Sequence, residues 1–430
     1  MPVDPLQYLL SLEQFGIKFG LANIRALVAA LGHPERAFAS IHIAGTNGKG
    51  SVTAMIESVL RAAGYRTGRY TSPHLNDLSE RIAINGTPIR HALLVDVASA
   101  VHQCANALQE SGTLLAPPTF FEATTAAAFE AFRRTEVDIA VCEVGLGGRL
   151  DATNILTPAV TAITSIALDH QRYLGNTLAD IAAEKGGIIK EGVPVVVGAM
   201  DEAVVAVLSN IAHQCDARLI RADQCVTVSG GRAPSGSTQS LRLRTAARNY
   251  GTMTLALVGA HQVANALVAV RVLEELDARG WPVPVESVIQ GLAAVRWPGR
   301  LERIAVGAGR ELLLDAAHNP AGAETLARFL AGEEKRPLVF AAMTDKDAAG
   351  ILRALAPAVS ALVITRASHP RSTDPWALAV LAAAAAPSLS IAVEESPRAA
   401  LETAWRASPR IVVAGSIFLL GDVMKALDLS

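Results

Sequence analysis

Along the chain, short continuous apolar runs alternate with longer stretches in which apolar residues recur every three or four positions. The runs include Ile41-His42-Ile43-Ala44, Ile139-Ala140-Val141-Cys142, Val193 to Val197, Leu312-Leu313-Leu314, Leu338 to Ala341, Leu362-Val363-Ile364 and Ile411-Val412-Val413. With no alternation of polar positions, they read as strands covered on both faces, and the Ala/Leu-rich segments between them as the covering helices. This predicts an α/β protein built on parallel sheets. The pattern breaks at Arg296-Trp297-Pro298-Gly299-Arg300, where the Pro-Gly pair stops any regular element and a fresh strand–helix series begins. A larger domain over 1–296 and a smaller one over 297–430 follow from that break. The stretch from Gly230 to Thr245, rich in Gly, Ser and Pro between β-like runs, reads as a loop or hairpin insertion.

Composition narrows the classes. The 430 residues suffice for two or three domains at about 150 residues each. With 51% hydrophobic and 18% charged residues the chain is globular, and a net charge of −2 argues against a nucleic-acid binder, which needs clustered positive charge. The N-terminus has no basic segment leading into an apolar core, and no apolar run reaches about 18 residues, so neither a signal peptide nor a membrane span is expected. Four cysteines without a C-x-x-C pair suit reduced thiols in a cytoplasmic protein. The cations are lopsided, 31 Arg against 7 Lys, so each lysine marks a place to look for chemistry a guanidinium does not offer.

The strand Ile41–Ala44 leads into Gly45-Thr46-Asn47-Gly48-Lys49-Gly50-Ser51, and helical spacing follows from Val52 to Ala63. Strand, glycine turn, lysine and helix form an anion cradle, in which small residues let backbone N–H groups face phosphate oxygens and the helix N-terminus adds positive dipole. Lys49 suits the β/γ-phosphates of ATP and the Ser51 hydroxyl suits Mg²⁺. The spacing departs from G-x-x-x-x-G-K-[ST], because Gly50 separates Lys49 from Ser51. Further on, Val141 to Asn154 ends a buried strand in Glu143 and turns through Gly145-Leu146-Gly147-Gly148-Arg149-Leu150-Asp151. A carboxylate at such a strand end sits where open α/β sheets bind ligands and suits a Mg²⁺ facing a nucleotide. The alternative for Glu143 is a structural ion pair with Arg149.

Gly-Thr-Asn-Gly-Lys followed directly by Ser or Thr resembles the Mur peptide ligases; with the inserted glycine, Gly-Lys-Gly-Ser, it resembles the folylpolyglutamate synthase/dihydrofolate synthase family. The run Glu143 to Asn154 is similar to the second signature of that family, and some ten segments between residues 16 and 421 follow its order. The resemblance implies a P-loop NTPase-like parallel-sheet domain of the Mur ligase central type, followed by a smaller Rossmann-like α/β domain. It implies nucleotide contacts from Thr46, Asn47, Gly48, Lys49, Gly50 and Ser51, with Asn265 on the adenine side, Arg300 reaching across the hinge and Asp315 at the ribose. Ser51, Ser72 of Thr71-Ser72-Pro73-His74, Glu143 and His170 are implied ligands of two Mg²⁺ ions, and Lys185 is implied as a carbamate. The chemistry suits lysine, since only an amine that can lose its proton adds CO₂.

Phe19, Gly20 and Leu21, with Thr119-Phe120-Phe121-Glu122 and Asp151, are implied at the pterin end of a folate site, and Ser416 on the glutamate side, as is the segment around Lys346. His318, in Asp315-Ala316-Ala317-His318-Asn319-Pro320, is implied near the reacting groups, although the family usually has Gly where Ala316 stands. The implied reaction is ATP-dependent addition of L-glutamate to reduced folates, and to dihydropteroate, through an acyl phosphate, by a monomer. Two rivals remain at this point: a Mur-type ligase of UDP-linked muramoyl substrates, and a non-catalytic P-loop ATP-binding protein.

Overall fold

The computed structural model describes residues 4–16, 18–230 and 238–429. Ile17 and residues 231–237 of the expected insertion lie outside these. Eight strands make the first sheet: β1 (Ala39–Ala44), β2 (Thr67–Tyr70), β3 (Ile82–Ile84), β4 (Thr87–Pro88), β5 (Ile139–Glu143), β6 (Val160–Ile163), β7 (Val195–Val197) and β8 (Leu219–Arg221). Their order is β4-β3-β2-β5-β1-β6-β7-β8, parallel from β2 through β8. Strand β1 lies at the centre and is buried apart from its first residue, which is why its sequence is apolar without alternation.

The sheets are not wholly parallel, as the apolar runs had suggested. Strands β3 and β4 are an antiparallel edge. Their turn is Asn85-Gly86, with both residues at positive φ, the two-residue hairpin signal. Strands β9 (Val226–Ser229), β10 (Gln239–Thr245) and β11 (Asn249–Leu255) form a separate antiparallel sheet. Strand β10 buries Gln239, Leu241, Leu243 and Thr245 and exposes the residues between them.

The helix Lys49–Ala62 lies on one face of the first sheet, beside Ala260–Ala278 and Val285–Ala294, and its apolar side chains join theirs in a single core. The opposite face carries Ala22–Ala30, His91–Glu110 and Phe120–Arg134. The second large sheet contains β12 (Glu302–Ala305), β13 (Glu311–Leu314), β14 (Leu338–Phe340), β15 (Ala361–Ile364), β16 (Ser390–Val393) and β17 (Arg410–Ala414), in the order β12-β13-β17-β14-β15-β16. All pairs but β12–β13 are parallel. Among the described residues no helix is long and apolar enough to cross a membrane.

The last helix against the first sheet ends at Ala294 and β12 begins at Glu302. Between them Trp297 lays its indole on the first turn of helix Lys49–Ala62. A Cβ on Gly50 would lie 2.8 Å from Trp297 Cζ2, so the glycine that departs from the usual phosphate-loop spacing makes room for the indole. The Arg69 guanidinium covers the ring, its carbon 4.9 Å from the centroid.

This contact predicts a change of sign. Gly50→Ala is expected to destabilise the chain by about 1–3 kcal/mol through overpacking. In a Trp297→Ala background the same change is expected to stabilise it by up to about 1 kcal/mol, from helix propensity alone. Urea unfolding of the four proteins checks this; an equal penalty in both backgrounds would mean that the indole is not the obstacle.

Candidate active site

The phosphate loop leaves β1 at Gly45, where φ is +147° and a Cβ would lie 2.0 Å from Thr164 Oγ1. Gly48, at φ +87°, caps the helix that starts at Lys49. The Thr46 and Asn47 amides donate to Ser165 O (2.7 Å) and Ser165 Oγ (3.1 Å), so the backbone donors left for an anion are those of the helix start, Gly48 to Ser51. Lys49 Nζ turns back on the loop, donating to Gly45 O (3.1 Å) and Thr46 O (3.3 Å), and lies 3.9 Å from Glu143 Oε1. Ser51 Oγ accepts from Gln262 Nε2 (3.2 Å), whose Oε1 accepts from Asn265 Nδ2 (3.0 Å).

Glu143 ends β5 and is 5% exposed. Burial raises its pKa, which Lys49 and Arg300 pull back down. Its nearest donors are Ser72 N at 3.4 Å and Lys49, while Arg149 pairs with Glu184 at 2.7 Å instead. The alternative of a Glu143–Arg149 pair is therefore excluded.

Facing the phosphate loop is the turn after β13. Asp315 accepts from the Leu301 and Ala317 amides, both at 3.0 Å. Ala316 is absent from the residues at positive φ, so alanine serves where the family has glycine. His318 Nδ1 lies 2.8 Å from Ala316 O; since a carbonyl only accepts, Nδ1 carries the proton and Nε2 the lone pair. Burial pushes the His318 pKa down to about 4.

Asp169, beside His170 in the turn after β6, joins the two halves. It accepts from Lys346 Nζ (2.7 Å) and Asn319 Nδ2 (3.0 Å), and its Oδ2 lies 3.8 Å from His318 Nε2. Asn319 also exchanges hydrogen bonds with Asn47 of the phosphate loop, at 3.0 and 3.1 Å. His170 Nε2 lies 3.2 Å from Lys346 Nζ, a donor only, so that nitrogen is unprotonated, in keeping with a pKa pushed down to about 4 by burial.

A cavity of about 1290 Å³ lies between the two large sheets. Thr46 to Ser51, Ser72, Glu143, His170, Asn265, Arg300, Asp315, His318 and Ser416 all face it, as do Phe19, Gly20, Thr119 to Glu122 and Asp151. Two expected residues do not. Leu21, the residue before helix Ala22–Ala30, packs into the apolar cluster behind the site, because helix entry turns it inward. Lys185 lines an adjoining pocket of about 40 Å³ with Lys49, Asp169, His170 and His318. It is 5% exposed, and burial, with Lys49 nearby, lowers its pKa to about 7.

Thr119 and Glu122 form a reciprocal cap on helix Phe120–Arg134 as well as facing the cavity. Ser416 caps helix Ile417–Ala426. Gln262, Asn319 and Asp169 are the polar groups that sequence reasoning missed; of these only Asp169, an acid beside His170 in a turn after a strand, carried a local signal.

A phosphate loop thus faces a second α/β sheet across a cleft, with a strand-end carboxylate in the cavity and a buried lysine in the adjoining pocket, and this two-sheet arrangement agrees with the family models of the Mur ligases. Residues 43–273 match the Mur ligase middle domain and residues 299–417 the Mur ligase glutamate ligase domain. Over 427 residues the chain is 34% identical to the dihydrofolate synthase/folylpolyglutamate synthase of Bacillus subtilis, covering 96% of each. A Mycobacterium tuberculosis folylpolyglutamate synthase complexed with ADP and AMPPCP matches with a TM-score of 0.90 and 37% identity, over 99% of both chains. Escherichia coli FolC in complex with DHPP and ADP matches with a TM-score of 0.86 and 28% identity, over 100% of this chain and 98% of that one. The chain belongs to the folylpolyglutamate synthase/dihydrofolate synthase family, within the Mur ligases.

The Asp169–Lys346 pair is buried on both sides, each side chain 8% exposed. Asp169→Asn and Lys346→Gln are each expected to cost about 3–5 kcal/mol, because each strands the partner's charge. The double variant is expected to lose less than the sum, measured as a coupling energy by urea unfolding. Strict additivity would count against a direct pair.

Proposed function

We propose that this enzyme joins L-glutamate to reduced folates and to dihydropteroate, using ATP, in a cytoplasmic monomer with an ATP- and folate-binding domain over 1–296 and a glutamate-side domain over 297–430. The observation that carries the reading is the shared cavity. Phe121 and Asp151 line it together with Lys49 and Glu143 of the phosphate side, and with His318 and Ser416 of the second sheet. That lining suits an aromatic ring joined to a carboxylate that must meet ATP on one side and an amine on the other. A ligase of UDP-linked muramoyl substrates is the weaker reading, because the relatives described above are folate ligases.

One Mg²⁺ ion fits the oxygen donors present, and a second is expected where Lys185 carries a carbamate. Glu143 is a buried carboxylate with no close cation, Lys49 being 3.9 Å away, and hard oxygen donors suit this metal. Glu143, Ser51 and Ser72 would hold one ion; His170 and a carbamate on Lys185 would hold the other. When bound, the ions offset the charge of the phosphates.

The reaction then proceeds in two steps. The substrate carboxylate attacks the γ-phosphorus of ATP and expels ADP, with Lys49 and Arg300 offsetting the charge on the oxygens in transfer. The amine of L-glutamate attacks the carbonyl carbon of the acyl phosphate, the C–O bond to phosphate breaks, and an amide remains. His318 Nε2 is suited to accept an N–H of that amine and orient it. With a pKa near 4 it does not keep the proton, which passes to phosphate or water. Closure of the cleft about residues 296–300 would exclude the water that competes for the acyl phosphate.

With ATP, Mg²⁺ and L-glutamate, the purified chain is expected to form ADP on adding either dihydropteroate or a reduced folate monoglutamate, and the ratio of the two turnovers measures its dual use. Dependence on UDP-muramoyl substrates instead would sink the reading. Lys49→Arg is expected to keep the fold and lose most activity.

Lys185 yields a pH dependence. Its folded pKa of about 7 lies below the ordinary lysine value of 10.5, so the amine is neutral above about pH 7 and can add CO₂ there. A ¹³C-carbamate resonance is expected to grow as pH rises through 7 in labelled bicarbonate and to be missing from Lys185→Ala. That variant's activity is expected to return in part with a small added carboxylic acid. By linkage, the neutral buried amine favours the folded state fully above pH 10.5 and loses that contribution as pH falls toward 7.

A further inference from the structure

His42 is a fully buried imidazole in β1, the strand that feeds the phosphate loop, and no step above uses it. In register beside it lie Cys142 of β5 and Thr161 of β6. Its Nε2 lies 2.8 Å from Thr153 Oγ1. That hydroxyl donates its one proton to Asp151 Oδ1, so the imidazole must be the donor to the hydroxyl oxygen. The proton therefore sits on Nε2, and Nδ1 is a buried lone pair without a partner. Burial pushes the His42 pKa down to about 3, so a neutral ring does the donating.

The directed chain, imidazole N–H to hydroxyl to carboxylate, ends at the cavity. Asp151 Oδ1 also accepts from Thr153 N (3.0 Å), and Oδ2 from the amides of Gly145 (3.0 Å) and Leu146 (2.9 Å). All four acceptor sites of the carboxylate are thus taken by its own loop. The loop in turn sets the aromatic wall, because a Cβ on Gly145 would lie 2.5 Å from Phe121 Cζ. A shift of Asp151 therefore moves both the carboxylate and the surface on which Phe121 rests.

We propose that His42 and Thr153 are positioning residues for the ring-binding end of the cavity: through Asp151 they hold the turn 145–151 against Phe121, and so set the affinity for the substrate's pterin ring. The proposal rests on the folate reading above. It also gives β1 two tasks, since the strand that ends in the phosphate loop anchors the opposite end of the substrate site.

The test compares Thr153→Val, which keeps shape and removes the hydroxyl, with Thr153→Ser, which keeps the hydroxyl. Steady-state kinetics are measured with dihydropteroate or a reduced folate as the varied substrate, and then with ATP. Thr153→Val is expected to raise KM for the pterin substrate at least tenfold and leave KM for ATP within twofold. Thr153→Ser is expected to stay within threefold of the parent in both. A KM for the pterin substrate unchanged in Thr153→Val, or a Thr153→Ser as impaired as Thr153→Val, overturns the proposal; so does a parallel rise in both KM values. If Thr153→Val does not fold, His42→Leu decides by the same criterion, with at least a threefold selective rise expected. A parent protein that makes no ADP with any pterin substrate would overturn the folate reading itself; an active parent with unselective variants overturns the relay alone.

Discussion

The site depends on one buried carboxylate. Asp169, in the turn after β6, takes the ammonium of Lys346 and the amide of Asn319 from the second sheet. In a poorly hydrated setting such a group demands partners; the His170 amide of its own turn supplies one at 2.8 Å, and the ammonium comes from the other side of the cleft. The mutual hydrogen bonds between the Asn319 and Asn47 amides then bring His318, one residue earlier in the chain, over the phosphate loop. The two sheets are thus aligned by polar groups at the site itself.

From this seam the cavity grades in character. Lys49, Glu143 and Arg300 face one another in its middle with no ion pair closer than 3.9 Å among the three, a spacing suited to charges that must also engage a ligand. Toward the N-terminal helices the lining becomes aromatic, with Phe19 set 5.9 Å from Tyr173 and Phe121 set 5.9 Å from Tyr70 between ring centroids. Lys185 stands apart in its small pocket, where burial favours the neutral amine.

What could be read from the sequence was local. The strand–glycine–lysine–helix order and the carboxylate at the end of β5 are contiguous in the chain, and both stand where their patterns indicated. The capping box Thr119-x-x-Glu122 was equally local, though its residues were noticed only as pocket lining. Leu21, implied with Phe19 and Gly20 by the resemblance of its segment, packs into the apolar cluster instead, since spacing does not say which way a helix entry turns a side chain. Asp169 and Asn319 escaped because their partners lie 150 to 272 residues away, at separations where no pattern reports who meets whom. The antiparallel edge at Asn85-Gly86 was legible and passed over, hidden by longer apolar runs on either side.

Trp297 carries a consequence of another kind. Its indole rests between the Arg69 guanidinium and the backbone at Gly50, at the point where the chain crosses from one sheet to the other. Every one of these contacts lies in the layer of the first sheet, so the crossing segment is anchored as far as Trp297, and a rotation of the second sheet must turn on the residues that follow, from Pro298 to the start of β12.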